Sequence, residues 1–582
     1  MGDISLPPSN RLLRHTPPVY HLKAPRGWIN DPCAPGYDPV TGTYHLFYQW
    51  NPDSCAWGNI SWGHFTSRDG VFWEQNGADP VLKPDAAYDQ EGIFTGCFYP
   101  TGMRGEKGHL TAIYSSVTKA PIHWSLPYSQ NAGLSVATSI DGGRKWRKSD
   151  LNPILRGEPE NLTVTGFRDP YLAEWPALDE VRGEKSLYGL VSGGVLDQGP
   201  TVFLYAVAPD DLATWNYLGQ LADLPVGFRS PSRWSPDFGI NWECANFMTL
   251  RDGSEAGHFL ILGSEGGRNW DSDHHKRDPQ GAQVAVWMAG SLNKTPKGPK
   301  FQHEYNGTFD YGDLYAPNSY EHPDTKKRIL WGWIKEDDLT LARREAKGWT
   351  GHLALPREIF LYTATGVTGT LKTPLEDISS IQVSTCDSTG HASKNIQTLG
   401  IRPLDDLETF KKSKPTIWSH IRAEGGTGRL MDNASSSWEL EAVINVRRDQ
   451  GRLGFYIRHN NDLSQRTSIS FSAREEEMTV DRSLSNDQQD VKRDKISGPF
   501  TLFSFSEEST EVIEKLHLRI FCDGDVLEVF ANDRFALSTM VYSESHLCSG
   551  ISWFADQQDS TSHVFESVKL WESLETVSVP SI

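Results

Sequence analysis

The sequence predicts an all-β protein: a five-bladed β-propeller followed by a C-terminal β-sandwich. Three observations carry that expectation. Helical periodicity is scarce over the 582 residues, and short runs of aromatic and β-branched residues, separated by Gly, Asp and Pro turns, take its place. A weak internal repeat recurs in the first part of the chain. Past the LPREI segment at 355–359 the repeat stops, and alternating strands of a different texture begin.

The elements follow in order. TYHLFYQW (43–50), HLTAIYSS (109–116) and GHFLILGS (257–264) read as strands. The repeat is carried by FTSRDGVFWEQ, with Ser67, Asp69, Gly70 and Trp73; by ATSIDGGRKWRKS, with Ser139, Asp141, Gly142 and Trp146; and by APDDLATWNYLG, with Asp211 and Trp215. Each is a turn that delivers the chain into a strand with an inward Trp. The three Asp residues are 72 and 70 residues apart, room for four strands of about 5–6 residues plus loops, the size of a propeller blade. About five such units fit before residue 359. Residues 365–400 are rich in Thr, Ser, Gly and Lys, and RPLDDLETFKKSK (402–414) can form a short helix. Strands resume at SWELEAVINV (437–446), GRLGFYIRH (451–459), TSISFSA (467–473), LHLRIFCD (516–523) and VLEVFAN (526–532), the run of short alternating strands expected of a sandwich. The expected domains are a propeller over 1–395, a linker over 396–414 and a sandwich over 415–582.

A chain of this length exceeds what one core usually supports. The formal charge of −19 argues against nucleic acid or an anionic membrane as partner, since both demand basic patches, and no apolar run approaches the roughly 18–20 residues that span a bilayer. Twenty Trp and 19 Tyr are compatible with sugar binding, because aromatic faces stack on sugar C–H faces, and equally with plain strand packing. Cys33, Cys55, Cys97, Cys244, Cys386, Cys522 and Cys548 are scattered, without metal-ligand spacing; no metal and no cofactor is expected. The N-terminus MGDISLPPSNRLLRH has no apolar signal core, and Leu6 stands where a myristoylation motif needs Ser or Thr. A cytoplasmic protein is expected. Sequons at Asn59, Asn161, Asn293, Asn306 and Asn433 support the alternative, a secreted protein.

Three acidic residues stand in Trp, Phe, Asn or Arg surroundings rather than in charge runs: Asp31 in GWINDPCAPGYD, Asp169 in TGFRDPYLAEW and Glu243 in FGINWECANF. Each alone could simply cap a turn, as Asp-Pro pairs often do. Their spacings of 138 and 74 residues match two blades and one. Acids in step with the blades fall on equivalent strands, and the first strand of each blade faces the central channel. Such a cluster suits glycosyl transfer. One carboxylate attacks the anomeric carbon and a second protonates the leaving oxygen, roughly 5–5.5 Å away in a retaining enzyme, with environments that set their pKa values apart. Glu243, beside Trp242 and Cys244, is expected in the less polar surroundings that suit a general acid. Asp31 beside Asn30 is expected to be held ionised by amide hydrogen bonds. Arg168 is expected to keep Asp169 charged.

These motifs resemble glycoside hydrolase family 32, the invertase and fructosyltransferase family. Trp28–Pro32 is similar to its nucleophile motif, Arg168-Asp169-Pro170 to its transition-state-stabiliser motif and Glu243-Cys244 to its acid/base motif. YHLFYQWNP (44–52), WGNISWGH (57–64), GWTGHLALPREI (348–359) and LEVFANDRFALST (527–539) also match, so the resemblance spans nearly the whole chain. It implies Asp31 as nucleophile, Glu243 as acid/base and Asp169 as stabiliser, with a covalent fructosyl-enzyme on Asp31. It further implies a fructose pocket drawn from Trp28, Asn30, Gln49, Trp57, Phe94, Thr95, His123, Arg168 and Cys244. The sandwich would be structural or would pair a homodimer, and Asp481-Arg482-Ser483 is expected at the domain interface or against a partner subunit.

Cys33 and Cys97 stand where plant and many yeast invertases have Asn and Ser. PIHWSLPY (121–128) and GFRSPSRWSPDFGINWEC (227–244) look more like fungal fructosyltransferases. The expected activity is a sucrose-cleaving β-fructofuranosidase that also transfers fructosyl groups to sugars and fructooligosaccharides. The alternatives are a dedicated fructosyltransferase making products such as 1-kestose, an exo-acting inulinase, and a non-catalytic sugar-binding propeller. A metalloenzyme through His274 and His275 with Asp271 and Asp273 is disfavoured, because adjacent histidines on a strand point to opposite sides.

Overall fold

The protein is described as a computed structural model over residues 15–267, 282–385, 393–423, 425–507, 510–544, 548–556 and 564–574. His274, His275, Asp271, Asp273 and Cys386 lie outside the described residues. The first part of the chain folds into five antiparallel sheets, each begun by an inner strand: Gly27–Asp38 in blade I, Gly92–Tyr99 in blade II, Val164–Glu174 in blade III, Asn241–Asp252 in blade IV and Leu314–Glu321 in blade V. Trp349–Thr350 returns to pair in parallel with Gly27 and Trp28, and His352–Leu353 pairs with Trp333 and Ile334, so chain between the second and third strands of blade V closes the ring on blade I.

The repeated turn lies at the same place in three blades, between third and fourth strands. In blade I, Ser67 Oγ accepts from Gly70 N–H at 2.9 Å, and Asp69 Oδ1 accepts from Val71 and Phe72 at 2.9 Å each. In blade II, Ser139 Oγ accepts from Gly143 N–H, and Asp141 Oδ1 from Arg144 and Lys145. The indole N–H of Trp73, Trp146 and Trp215 donates in every case to the carbonyl three residues back, at 3.1, 3.0 and 3.1 Å. The recurring sequence is therefore a self-capped turn that locks an indole over its own loop.

The sandwich consists of two six-stranded antiparallel sheets. The expected strands appear as Ser437–Ile444, Arg452–His459, Thr467–Ser472, Leu516–Asp523 and Val526–Ala531. Leu440, Phe455, Ile469, Leu518, Val529 and Phe565 are buried in one core between them, the alternation expected when one face of each strand packs inward.

The join between the domains differs from the expected free linker over 396–414. Lys394–Pro403 is a strand of blade V, paired along Arg357–Thr370, and only Asp405–Phe410 coils, as a 3₁₀ helix. Phe503–Glu507, from within the expected sandwich range, also pairs with Arg357–Thr370. The physical reason is burial on both faces: Ile396 packs in one core and Leu399 and Ile401 in another, which a solvated linker would not allow. Around the join, Arg357, fully buried, pairs with Asp310 at 2.9 Å and Glu528 at 2.7 Å. His21 bridges Asp523 at 2.9 Å and Glu528 at 3.0 Å. Within Asp481–Ser483, Arg482 reaches across to Asp338 of the propeller at 2.5 Å.

Candidate active site

One backbone device serves all five inner strands. Each carries a bulge in which two residues oppose one on the second strand: Asn30 and Asp31 in blade I, Phe94 and Thr95 in blade II, Asp169 and Pro170 in blade III, Cys244 and Ala245 in blade IV, Ala316 and Pro317 in blade V. A bulge re-aims side chains and bends the strand. Asp169, Cys244 and Ala316 adopt left-handed φ values of 62°, 50° and 51°, a conformation that costs a non-glycine residue of order 1 kcal/mol or more and gathers at functional sites. The ring of bulges marks one level of the channel, and the three acids sit in or beside it.

Asp31 is held by amides and a hydroxyl. Its Oδ1 accepts from Asn30 Nδ2 at 3.1 Å, and its Oδ2 accepts from Thr95 Oγ1 at 2.5 Å and Gln49 Nε2 at 3.2 Å. Gln49 also donates to Thr95 Oγ1 at 2.7 Å and accepts from Asn30 at 2.8 Å, while Trp28 Nε1 donates to Asn30 Oδ1 at 3.2 Å. Cys244 joins two acids: its Sγ lies 3.6 Å from Oδ2 of Asp31 and 3.6 Å from Oδ2 of Asp169, and its N–H donates to Asp169 at 3.2 Å. Ser115 Oγ accepts from the Asp169 N–H at 2.7 Å.

Two expectations are corrected here. Arg168 pairs with Glu243, Nε to Oε1 at 2.8 Å, and with Glu265, Nη2 to Oε2 at 2.6 Å, rather than with Asp169. Neighbours on a strand point in opposite directions, so adjacency in sequence does not predict the partner. Glu243 is likewise not in apolar surroundings. The Trp242 ring is buried in a separate core and donates to Phe238 O, whereas the Glu243 carboxylate receives Arg168 and, at 2.7 Å, the hydroxyl of Tyr315.

The electrostatics follow from crowding. Burial, then the Glu243 carboxylate, pushes the Asp31 carboxyl up to about 6 against the hydrogen bonds of Thr95, Asn30 and Cys244. Burial and Glu243 hold Asp169 well above the usual carboxylate range, with Arg168 opposing. The same two causes raise Glu265 to about 7. The one guanidinium of Arg168 is bonded to Glu243 and Glu265 and reaches Asp169 through its charge alone. Crowded like charges oppose ionisation, so Asp31, Asp169 and Glu265 hold their protons more tightly than free carboxyls do.

The other expected pocket residues divide into two groups. Trp28, Phe94 and Cys244 are buried in one cluster with Tyr315 and Trp333. Trp57 is 49% exposed and stands edge-on to Phe94 at 5.8 Å, at the rim. His123 is not brought onto the acids. It bonds Ser125 at 2.7 Å in the 121–128 loop, whose Trp124 packs on Gly266 beside Glu265.

Sequence reasoning missed Glu265 and Tyr315. Tyr315 lies 72 residues after Glu243, in step with the blades, and a search for acids alone passes over it. Glu265 pairs across the sheet with Asn241, whose Nδ2 donates to it at 2.8 Å; it belongs to a second strand, and the spacing of inner strands carries no signal for it. Away from this site, the one group of acids among the described residues close enough together to hold a metal ion is Glu408, Glu439 and Glu441 in the sandwich. Lys411 Nζ already bonds all three.

Comparison with known proteins agrees along the whole chain. Residues 21–371 match the model of the glycosyl hydrolases family 32 N-terminal domain, and residues 404–572 that of the family 32 C-terminal domain. Beta-fructofuranosidase 1 of Zea mays is 26% identical over 581 residues, covering 97% of this chain and 80% of the relative. Acid beta-fructofuranosidase of Solanum lycopersicum is 25% identical over 590 residues, covering 98% and 84%. Among solved structures, Aspergillus kawachii beta-fructofuranosidase complexed with glycerol superposes with a TM-score of 0.83 at 26% identity, covering 98% of this chain and 96% of that one. The fructosyltransferase from A. japonicus shares the fold, with a TM-score of 0.85 at 24% identity, covering 99% and 98%.

Proposed function

Because the chain belongs to glycoside hydrolase family 32, and is a glycosidase of the β-fructofuranosidase type, we propose that it cleaves sucrose with retention through a fructosyl-enzyme on Asp31. The observation that carries this reading is the meeting of Asp31, Asp169 and Glu243, from three blades, around the thiol of Cys244 and the guanidinium of Arg168.

In this reading an ionised Asp31 oxygen attacks the anomeric carbon of the fructosyl unit. The bond to the glucosyl oxygen breaks, and Glu243 gives that oxygen its proton, leaving an ester on Asp31. Glu243 then takes a proton from the incoming water or sugar hydroxyl as it attacks the same carbon and releases Asp31. Two inversions give net retention. Asp169 accepts from a fructosyl hydroxyl and stabilises the oxocarbenium-like charge. Among the described residues Nη1 of Arg168 is buried without a hydrogen-bond partner, and a sugar hydroxyl that reached it would satisfy it. Tyr315 and Arg168 fix the rotamer of Glu243 between its two proton transfers.

Transfer to sugars competes with hydrolysis in this proposal. The exposed Trp57 against Phe94 offers an aromatic platform at the rim on which a second sugar can stack. The test is product analysis with dilute and then concentrated sucrose. Equal glucose and free fructose at both concentrations means water alone accepts the fructosyl group. Glucose in excess, with trisaccharide, means sugar accepts it. No release of either sugar removes the reading.

A further inference from the structure

The short helix Leu341–Lys347 lies between the second and third strands of blade V and precedes the strand that closes the ring. Thr340 caps it, accepting from Arg343 N–H, and Gly348 ends it in the left-handed conformation. Its sequence presents two arginines in succession, and they have opposite fates. Arg343 is fully spent on the sandwich: Nε donates to Asp490 Oδ2 at 2.7 Å, Nη2 to Asp490 Oδ1 at 2.6 Å and to Gln488 Oε1 at 3.0 Å. The fork-to-fork pair fixes orientation as well as distance. Leu339 and Val491 form an antiparallel bridge beside it, and Lys492 N–H donates to Asp338 O.

Arg344 packs on the propeller. Its guanidinium lies over the Trp28 ring, 5.6 Å from the centroid, and Trp28 in turn bonds the Asn30 that holds Asp31. Among the described residues the Arg344 guanidinium has no hydrogen bond or ion pair, and its Nε is buried without a partner. The next residue, Glu345, accepts from Ser54 Oγ and Cys55 N–H at 2.9 Å each, tying the helix to the 52–57 loop that carries Trp57. A buried donor left unpaired is costly, and this one adjoins both Trp28 and, through Glu345, the loop that carries Trp57.

We propose that Arg344 is a specificity residue: it donates to hydroxyls of the sugar unit next to the fructosyl group, and the sandwich domain positions it through the Asp490–Arg343 clasp. This rests on the fructosidase reading above. Arg344 as a whole is half-buried, and a sugar hydroxyl can accept from its outer Nη groups while the aromatic face of Trp28 holds the charged plane in place. The sandwich would thus take part in selecting the leaving group and acceptor without touching either.

The experiment compares kcat/KM on sucrose with kcat/KM on methyl β-D-fructofuranoside, whose leaving group has no hydroxyls to bind. Arg344→Ala is expected to lose at least tenfold more on sucrose than on the methyl fructoside. Asp490→Asn is expected to show the same selectivity to a smaller degree, since it loosens the helix while leaving Arg344 present. Equal losses on both substrates would mean that Arg344 only buttresses Trp28, and would overturn the proposal. Should Arg344→Ala fail to fold, Arg344→Gln carries the same comparison. Wild-type enzyme that cleaves neither fructoside overturns the fructosidase reading itself, an outcome separate from equal losses in the variants.

Discussion

The guanidinium of Arg168 lies on Glu243, one blade away, with Nε 2.8 Å from Oε1, and its Nη2 reaches Glu265 at 2.6 Å. A single cation therefore organises two carboxylates beneath the proposed reaction centre. Replacing Arg168 by Leu would leave both acids buried and unpaired, the situation in which breaking a buried ion pair costs roughly 3–5 kcal/mol. Arg168→Leu is expected to lower the melting temperature and to abolish turnover. Arg168→Lys keeps the charge but not the fork, and is expected to recover stability more than activity. A thermal melt beside a sucrose assay separates the two effects, and full activity in Arg168→Lys would show that the fork is not needed.

The proposed division of labour between Glu243 and Asp31 makes a sharper prediction. Glu243→Gln keeps the shape and the Tyr315 contact but cannot transfer a proton, so kcat on sucrose is expected to fall by about 10²–10⁴-fold. The loss should shrink for a fructoside whose leaving group needs no protonation. Asp31→Asn removes the attacking oxygen, and no leaving group should rescue it. A Glu243→Gln enzyme with wild-type turnover would remove the acid/base assignment.

Thr95 is the strongest handle on pH dependence. Its hydroxyl donates to Asp31 Oδ2 at 2.5 Å and lowers a carboxyl that burial and Glu243 push up to about 6. Asp31 must be ionised to attack, so activity is expected to fall as pH drops through about 6. Thr95→Val removes a hydrogen bond made to the charged form. The acid limb of kcat/KM should move upward, by roughly one to two pH units for a bond to a charged group. The titration belongs to a coupled cluster, so the limb reports an apparent value. A limb that stays in place, or moves toward acid, would mean that another group governs it.

Much of this arrangement was legible in the sequence, for a definite reason. Propeller blades repeat with nearly constant length, so spacing alone assigns Asp31, Asp169 and Glu243 to inner strands, and an Asp-Gly turn with a following Trp identifies the blade unit. What spacing does not encode is direction. Arg168 and Asp169 are neighbours in sequence yet meet different partners, because the chain alternates and then bulges at Asp169. Glu265 comes from a second strand and enters the site through its register against Asn241. Tyr315 holds the right phase but is a hydroxyl rather than an acid. The 396–414 segment misled because its Thr, Ser and Lys residues obscure Ile396, Leu399 and Ile401, which blade V buries on its two faces.

His21 lies between Asp523 and Glu528, fully buried. Burial alone would depress the imidazole, but the two carboxylates outweigh it and raise His21 from 6.5 to about 9. A group whose folded value is raised contributes stability that is complete below its unfolded value and is lost as pH rises through the folded one. The contribution, on the order of 3 kcal/mol, should therefore be whole below about pH 6.5 and should disappear between there and about pH 9. On the acid side Arg357, with His21, holds Glu528 down at about 2, so its share is present above the ordinary value of 4.5 and is lost as pH falls toward 2. Melting temperature against pH should thus decline from pH 6.5 to 9 in wild type, and decline less in His21→Asn, which keeps hydrogen-bonding capacity but does not titrate. Parallel profiles for the two proteins would show that His21 carries no charge at the interface.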